Sequence, residues 1–195
     1  PFCLKELGAS STKLSHLFAR GGFPEPFLAD SDEDAKRWHG LYLESLLRQD
    51  VLDFENVGNR VAMQQVFDLL RYRVGSPISY SSLARDVNIS PITVKRYIQI
   101  FEALYMVFTL KPYTHKIARS ILKEPKLYFY DVAFVEDSGA RFENMIALEL
   151  LRSLRLKEDQ TGQRSNLHYL RNKEEKEVDF AISNEKSELK HLIEV

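Results

Sequence analysis

The chain has 195 residues, 44% of them apolar, a formal net charge of −1 and one cysteine, Cys3. That is enough for one or two domains with a core, and it excludes an internal disulfide framework. No apolar run approaches the ~18 residues of a membrane span, the N-terminus lacks the order of a signal peptide, and the five histidines show no cysteine pairing at zinc spacing. A cytoplasmic chain with no membrane partner is expected, and the missing initial Met suggests a piece of a longer one.

Along the chain, residues 1–20 read as partly helical, and ARGGFPEPFL (19–28) reads as a Gly/Pro loop joining two units. Ser31 suits an N-cap, with Asp32, Glu33 and Asp34 in the first turn where the helix dipole favours negative charge. The predicted helix runs to about Val51 with Trp38, Tyr42, Leu46 and Leu47 as its apolar stripe. The acidic run is read as a solvated helix start.

A second helix is predicted from Val61 to near Gly75 through Val66, Phe67, Leu69 and Leu70. In SSLARDVNISPITVKRYIQIFEAL (81–104), Ser81 suits the cap of a short helix and Asn88 a left-handed turn. Ser90 and Pro91 then open the next helix, which buries Val94, Tyr97, Ile98, Phe101 and Leu104. This is a helix-turn-helix. The runs at 106–110 and 126–131 read as strands, and together they make a winged helix.

The charge is unevenly spread: residues 61–130 hold 10 basic against 4 acidic residues, whereas 131–195 hold 10 against 14. Thr93, Lys95, Arg96 and Gln99 fall on the exposed side of the second helix. Lys111, Lys116, Arg119, Lys123 and Lys126 fall in or near the wing. Such residues suit phosphate contact and groove entry, so DNA is the expected partner, with RNA as a variant. The competing reading is a protein-interaction module, since a fold does not fix its function.

Then come a helix over 138–157, with Phe142, Ile146, Leu150 and Leu154 at helical spacing, and strands at LHYLRN (167–172), EVDFAI (177–182) and LIEV (192–195). Strand side chains alternate between faces, so Asp179 is expected opposite in direction to Val178 and Phe180, and Glu194 opposite to Ile193 and Val195. If the two strands are neighbours, the two carboxylates converge, and Glu143 on the helix could join them. Such a group either repels, raising a pKa, or holds a hard cation such as Mg²⁺. The alternative is an ordinary hairpin with charges on its solvated side.

FEN (142–144), YLRN (169–172), KEVDFAI (176–182) and LIEV resemble the core of the PD-(D/E)XK nuclease-like fold. The resemblance implies catalytic and metal-binding roles for Glu143, Asp179 and Glu194, with Mg²⁺ as cofactor. The lysine of its E-x-K would fall one residue after Val195. More broadly, GGFPEPFL, YLESLLRQDV, the helix-turn-helix, KLYFYD, FEN and EVDF come in the order of a family of prokaryotic AAA+ ATPases. Those carry a P-loop domain, a winged helix and a PD-(D/E)XK-like domain of unknown function. No GxxxxGK[ST] occurs here, so ATP would belong only to an ATPase domain outside this chain.

The expected fold is mixed α+β. Residues 1–60 form a helical segment, 61–130 a winged helix-turn-helix, and 131–195 a truncated restriction-endonuclease-like domain. Two functions follow from these readings: a Mg²⁺-dependent phosphodiesterase guided to DNA by the winged helix, or a non-catalytic module of an ATPase. For the present chain the second is favoured, with no nuclease activity, pairing of Leu192–Val195 with 177–182, and self-association through the uncovered sheet.

Overall fold

The computed structural model describes residues 1–8, 10–46, 59–114, 124–172, 174 and 176–195. The predicted continuation of a helix to Val51 and the wing residues Lys116, Arg119 and Lys123 lie outside these residues. What is described is a mixed α+β fold with two small antiparallel sheets.

The N-terminal part consists of α1 (Leu4–Leu7), α2 (Ser11–Arg20), α3 (Pro24–Phe27) and α4 (Asp32–Ser45). Ser10 and Ser31 cap α2 and α4 by accepting the N–H of Lys13 and Asp34. The 19–28 segment, expected to be a loop throughout, begins with the last two residues of α2 and contains a further helical turn, α3. Pro24 stands at its first position, where the missing N–H costs nothing.

The two glycines ahead of that turn have a separate task. Gly21 has φ +75°, and a Cβ there would stand 1.9 Å from Asp131 Oδ1. Asp131 is buried and accepts the N–H of Gly22 (3.3 Å) and Ala133 (3.1 Å), while its Oδ2 lies 2.9 Å from His39 Nε2. The glycine pair and the aspartate of KLYFYD are therefore one docking joint between the N-terminal helices and the centre of the chain.

Next come α5 (Arg60–Arg71), α6 (Tyr80–Val87) and α7 (Pro91–Ala103). Ala62, Met63, Val66, Phe67 and Leu70, at helical spacing, are the buried side of α5. Ser79, not Ser81, takes the N-cap position of α6, and it does so without a side-chain bond. Asn88 ends α6 at φ 56°, and Ser90 caps α7 with Pro91 at its first position, as predicted. Small Ala84 is buried in α6, and α6 packs on α7.

β1 (Val107–Leu110) and β2 (Lys126–Phe129) form an antiparallel ribbon, with Val107 opposite Phe129 and Leu110 opposite Lys126. The other edge of β2 is also engaged: Pro77 bridges Lys126, and Gly75 N–H and Ile78 N–H donate to Leu127 O and Pro125 O. Asp131 then caps a 3₁₀ turn (Val132–Phe134), and Asp137 caps α8 (Ser138–Thr161), which closes at left-handed Gly162.

The second sheet has the order β3 (Ser165–Arg171), β4 (Glu177–Asn184), β5 (Leu189–Ile193), with both pairings antiparallel. β5 pairs with β4 as expected but ends at Ile193, so Glu194 and Val195 lie beyond the strand. Backbone pairing links the two sheets after β1, where Pro112 bridges Tyr169 and Tyr113 N–H donates to Tyr169 O at 2.7 Å.

One buried cluster runs from Ala62 to Ile182 and crosses the expected boundary at 130/131. Phe67 meets Phe101, Phe129 and Phe134 edge-on, and Tyr128 tilts against Phe180. The α5–α7 helices, the ribbon and the second sheet thus share an interior.

Candidate functional site

The site grows from an irregularity in β4. Its register with β3 shifts between His168↔Ala181 and Leu170↔Val178, so Asp179 and Phe180 together face the single residue Tyr169. A bulge of this kind interrupts the alternation of side chains and re-aims one of them. Asp179 therefore joins the face of Phe180, toward the interior, and Glu177, two residues back, lies on that face as well. Simple alternation had placed Asp179 opposite to Phe180.

β2 supplies the partner. All four of its residues are buried, because the ribbon is packed on both faces. Lys126 and Tyr128, two residues apart, share one of those faces. Tyr128 OH donates to Glu143 Oε1 at 2.8 Å. Lys126 is 1% exposed, and its Nζ lies 2.5 Å from Glu177 Oε1, 3.4 Å from Glu143 Oε1 and 3.6 Å from Asp179 Oδ1. The Tyr169 ring centroid is 5.6 Å from the same ammonium, a cation–π distance. A Cβ on Gly75 would come within 2.7 Å of Glu143 Oε2, so the glycine leaves room for that carboxyl.

Burial dominates the electrostatics. It pushes the Tyr128 hydroxyl far above its ordinary value, helped by the Glu143 charge, so Tyr128 stays a neutral donor. Burial, with Glu177, likewise raises Tyr169 to about 12. Desolvation raises Glu143 above its ordinary 4.5, outweighing the Tyr128 bond and Lys126.

A carboxyl with a raised native pKa holds its proton in the folded state over a pH range where the unfolded chain has lost it. Folding stability must then fall as pH rises from 4.5 through the native value of Glu143. Glu143→Gln is expected to flatten this part of the stability–pH curve, as read by urea unfolding at a series of pH values. An unchanged slope would assign it to other groups.

The Mg²⁺ site implied by the nuclease-like resemblance needs Glu143, Asp179 and Glu194 on one cation. Glu143 and Asp179 do converge, but on the Lys126 ammonium. The second oxygen of Asp179 accepts the N–H of Val195 at 3.0 Å. Glu194 lies beyond the end of β5 and is exposed. Among the described residues no group of three His, Cys, Asp or Glu side chains is placed to hold a metal. These donors fit a lysine and do not fit Mg²⁺, which needs oxygens about 2.0–2.1 Å away in near-octahedral array.

Glu177 and Tyr128 were missed as members of this cluster. The signal for Glu177 was its two-residue spacing from Asp179. Nothing in the sequence paired β4 with Lys126.

The second candidate surface is α7. Ile92, Lys95, Arg96 and Gln99 follow the i, i+3, i+4, i+7 pattern of one helix face, and all four are exposed, Ile92 at 82%. Thr93 is half-buried, and its hydroxyl and backbone N–H are both within hydrogen-bond distance of Ser90 Oγ. Lys111 is exposed at the end of β1. Lys126, expected to contact nucleic acid, is instead enclosed by carboxylates, because β2 is covered on both faces.

The family model described as "Domain of unknown function (DUF8612)" matches residues 11–140. An uncharacterized protein of Mycobacterium tuberculosis, Rv2008c, is 26% identical over 132 residues, which are 68% of this chain and 30% of that protein. An uncharacterized protein of Methanocaldococcus jannaschii, MJ1544, is 27% identical over 187 residues, 90% of this chain and 40% of that protein. The chain thus spans well under half the length of these relatives. No solved structure matches.

Proposed function

The chain belongs to the DUF8612 family of domains of unknown function, and from that premise we propose that it is a non-catalytic, nucleic-acid-contacting module that lays α7 against duplex DNA. The observation that carries this reading is the exposed stripe Ile92, Lys95, Arg96, Gln99 on a helix whose opposite side is buried. Two cations suit phosphates, the glutamine amide suits an adenine edge, and the isoleucine suits a thymine methyl. The tight turn at Asn88 and the ribbon that follows α7 support a winged-helix description of this part. Lys111 extends the positive surface toward the segment after β1.

In this reading the β3–β5 sheet with α8 is a nuclease-like scaffold, without a Mg²⁺ site of its own. The order of motifs supports placing the chain after a P-loop ATPase domain in an AAA+ protein, and the greater length of the relatives leaves room for one. That ATPase domain would be its partner and the holder of ATP.

Duplex binding followed by fluorescence anisotropy tests the proposal. Affinity should fall with salt at a slope of about −0.9 per phosphate neutralised. Lys95→Ala and Arg96→Ala should each weaken binding across sequences and reduce the slope by about 1, while Gln99→Ala should mainly relax sequence preference. No binding at low salt would overturn the proposal in favour of a protein-docking helix. Preference for RNA over duplex DNA would redirect it to RNA.

A further inference from the structure

The cluster around Lys126 unites groups that are costly to bury singly. Three carboxylates from two elements, Glu143 on α8 and Glu177 and Asp179 on β4, surround one ammonium from β2. A lysine has three N–H donors and no acceptor, so its capacity matches three acidic partners. The ammonium cannot readily swing away. The backbone of Lys126 is paired with Leu110 on one edge of β2 and bridged to Pro77 on the other, and Tyr169 lies against the charged end. Asp179 is aimed here by a bulge, a local distortion that persists only where something is gained from it.

We infer that the Lys126 ammonium is the resident cation of the Glu143–Glu177–Asp179 cluster, a built-in replacement for a divalent metal that clamps α8 and β4 to β2. The inference does not depend on nucleic-acid binding by α7. It assigns the positive charge at this place to the chain itself. It also accounts for three carboxylates that are aimed at one point yet leave no place for a divalent cation while the ammonium stands among them. The clamp joins residues on either side of position 130, so its charge balance controls how firmly the second sheet is held to the ribbon.

Mn²⁺ titration by electron paramagnetic resonance, together with thermal melts, tests this. The unaltered chain should show no saturable Mn²⁺ binding lost on Asp179→Asn and no Mn²⁺-dependent rise in Tm. Such binding would overturn the inference. Lys126→Met should lower Tm markedly, because it leaves three partly buried carboxylates facing one another without a counter-charge, and Mn²⁺ should then raise Tm by entering the vacated place. Adding Glu177→Gln and Asp179→Asn to Lys126→Met should recover most of the lost Tm and abolish the Mn²⁺ response. A combined variant as unstable as Lys126→Met alone, or a Lys126→Met chain indifferent to Mn²⁺, would refute the replacement. If Lys126→Met alone does not fold, the combined variant and the titration of the unaltered chain still decide.

Discussion

Phe67→Ala is expected to lower folding stability by about 3–5 kcal/mol, the range for removing a large aromatic ring from a packed core. Phe67 is fully buried on α5 and touches a ring from each of three neighbours: Phe101 on α7, Phe129 on β2 and Phe134 in the 3₁₀ turn. Centroid distances of 5.4–5.5 Å and interplanar angles of 76–87° place it edge-on to all three, the arrangement that aromatic quadrupoles favour. Its removal therefore opens a cavity at the junction of the helices, the ribbon and the second half of the chain. Urea unfolding followed by far-UV circular dichroism and by the single tryptophan, Trp38, which stacks on Tyr42 at 4.7 Å, measures the loss. The two probes should move together, since Tyr42, on which Trp38 stacks, is packed against the same cluster as Phe67. A loss below about 1 kcal/mol would mean that the neighbouring rings are not packed on Phe67 as described.

Asn144→Leu should cost about 2–5 kcal/mol although it keeps the branched shape of the side chain. The Asn144 side chain is fully buried and behaves as a short extra strand: its Oδ1 accepts Phe129 N–H at 2.7 Å and its Nδ2 donates to Phe129 O at 2.8 Å. Leucine fills the space but leaves a buried donor and a buried acceptor on β2 unpaired, each worth about 1–3 kcal/mol. Asn144→Asp is the informative companion. It retains the acceptor for Phe129 N–H but sets an ionised oxygen against Phe129 O, so its deficit should shrink when pH is lowered and the carboxyl is protonated. Denaturant unfolding at acid and neutral pH reads both effects. A deficit of Asn144→Asp that does not change with pH would sink the two-bond account.

The asparagine stands in the FEN stretch beside Glu143, and the two side chains engage different residues of β2. Asn144 completes the hydrogen bonding of Phe129, while Glu143 accepts from Tyr128 and meets Lys126. Gly75 leaves the space that Glu143 occupies, and Gly21 leaves the space that Asp131 occupies. Both glycines have positive φ, near 75°, where a side chain would be strained as well as crowded.

Much of the local structure was legible in the sequence because its causes are local. Ser31 and Ser90 cap helices because a hydroxyl reaches an N–H three residues on. Asn88 turns left-handed because asparagine tolerates that region better than most side chains do. The apolar periods of α5 and α7 identified their buried faces, and the exposed stripe on α7 followed from the same period. Strands β1 to β5 appeared near their predicted places, with ends shifted by one to several residues. Such shifts arise where a strand's end depends on its neighbour.

The destination of the charged residues was decided elsewhere. By itself the sequence determined that Glu143 and Asp179 sit on a helix and a strand in the second half of the chain, and that Lys126 opens a strand rich in aromatic residues. Alternation along an ideal strand puts Asp179 opposite to Phe180 and leaves Lys126 free to meet a phosphate. Only the tertiary structure decided otherwise. A one-residue shift between β3 and β4 turns Asp179 inward, and packing on both faces of β2 encloses Lys126. An enclosed ammonium must find carboxylates, because the desolvation of an unpaired charge costs far more than a local preference can offset. The bulge, though it lies within a hairpin, breaks the alternation that a sequence pattern assumes, and the enclosure of Lys126 joins β2 to β4 across α8 and β3, so no local pattern in either segment encodes the other.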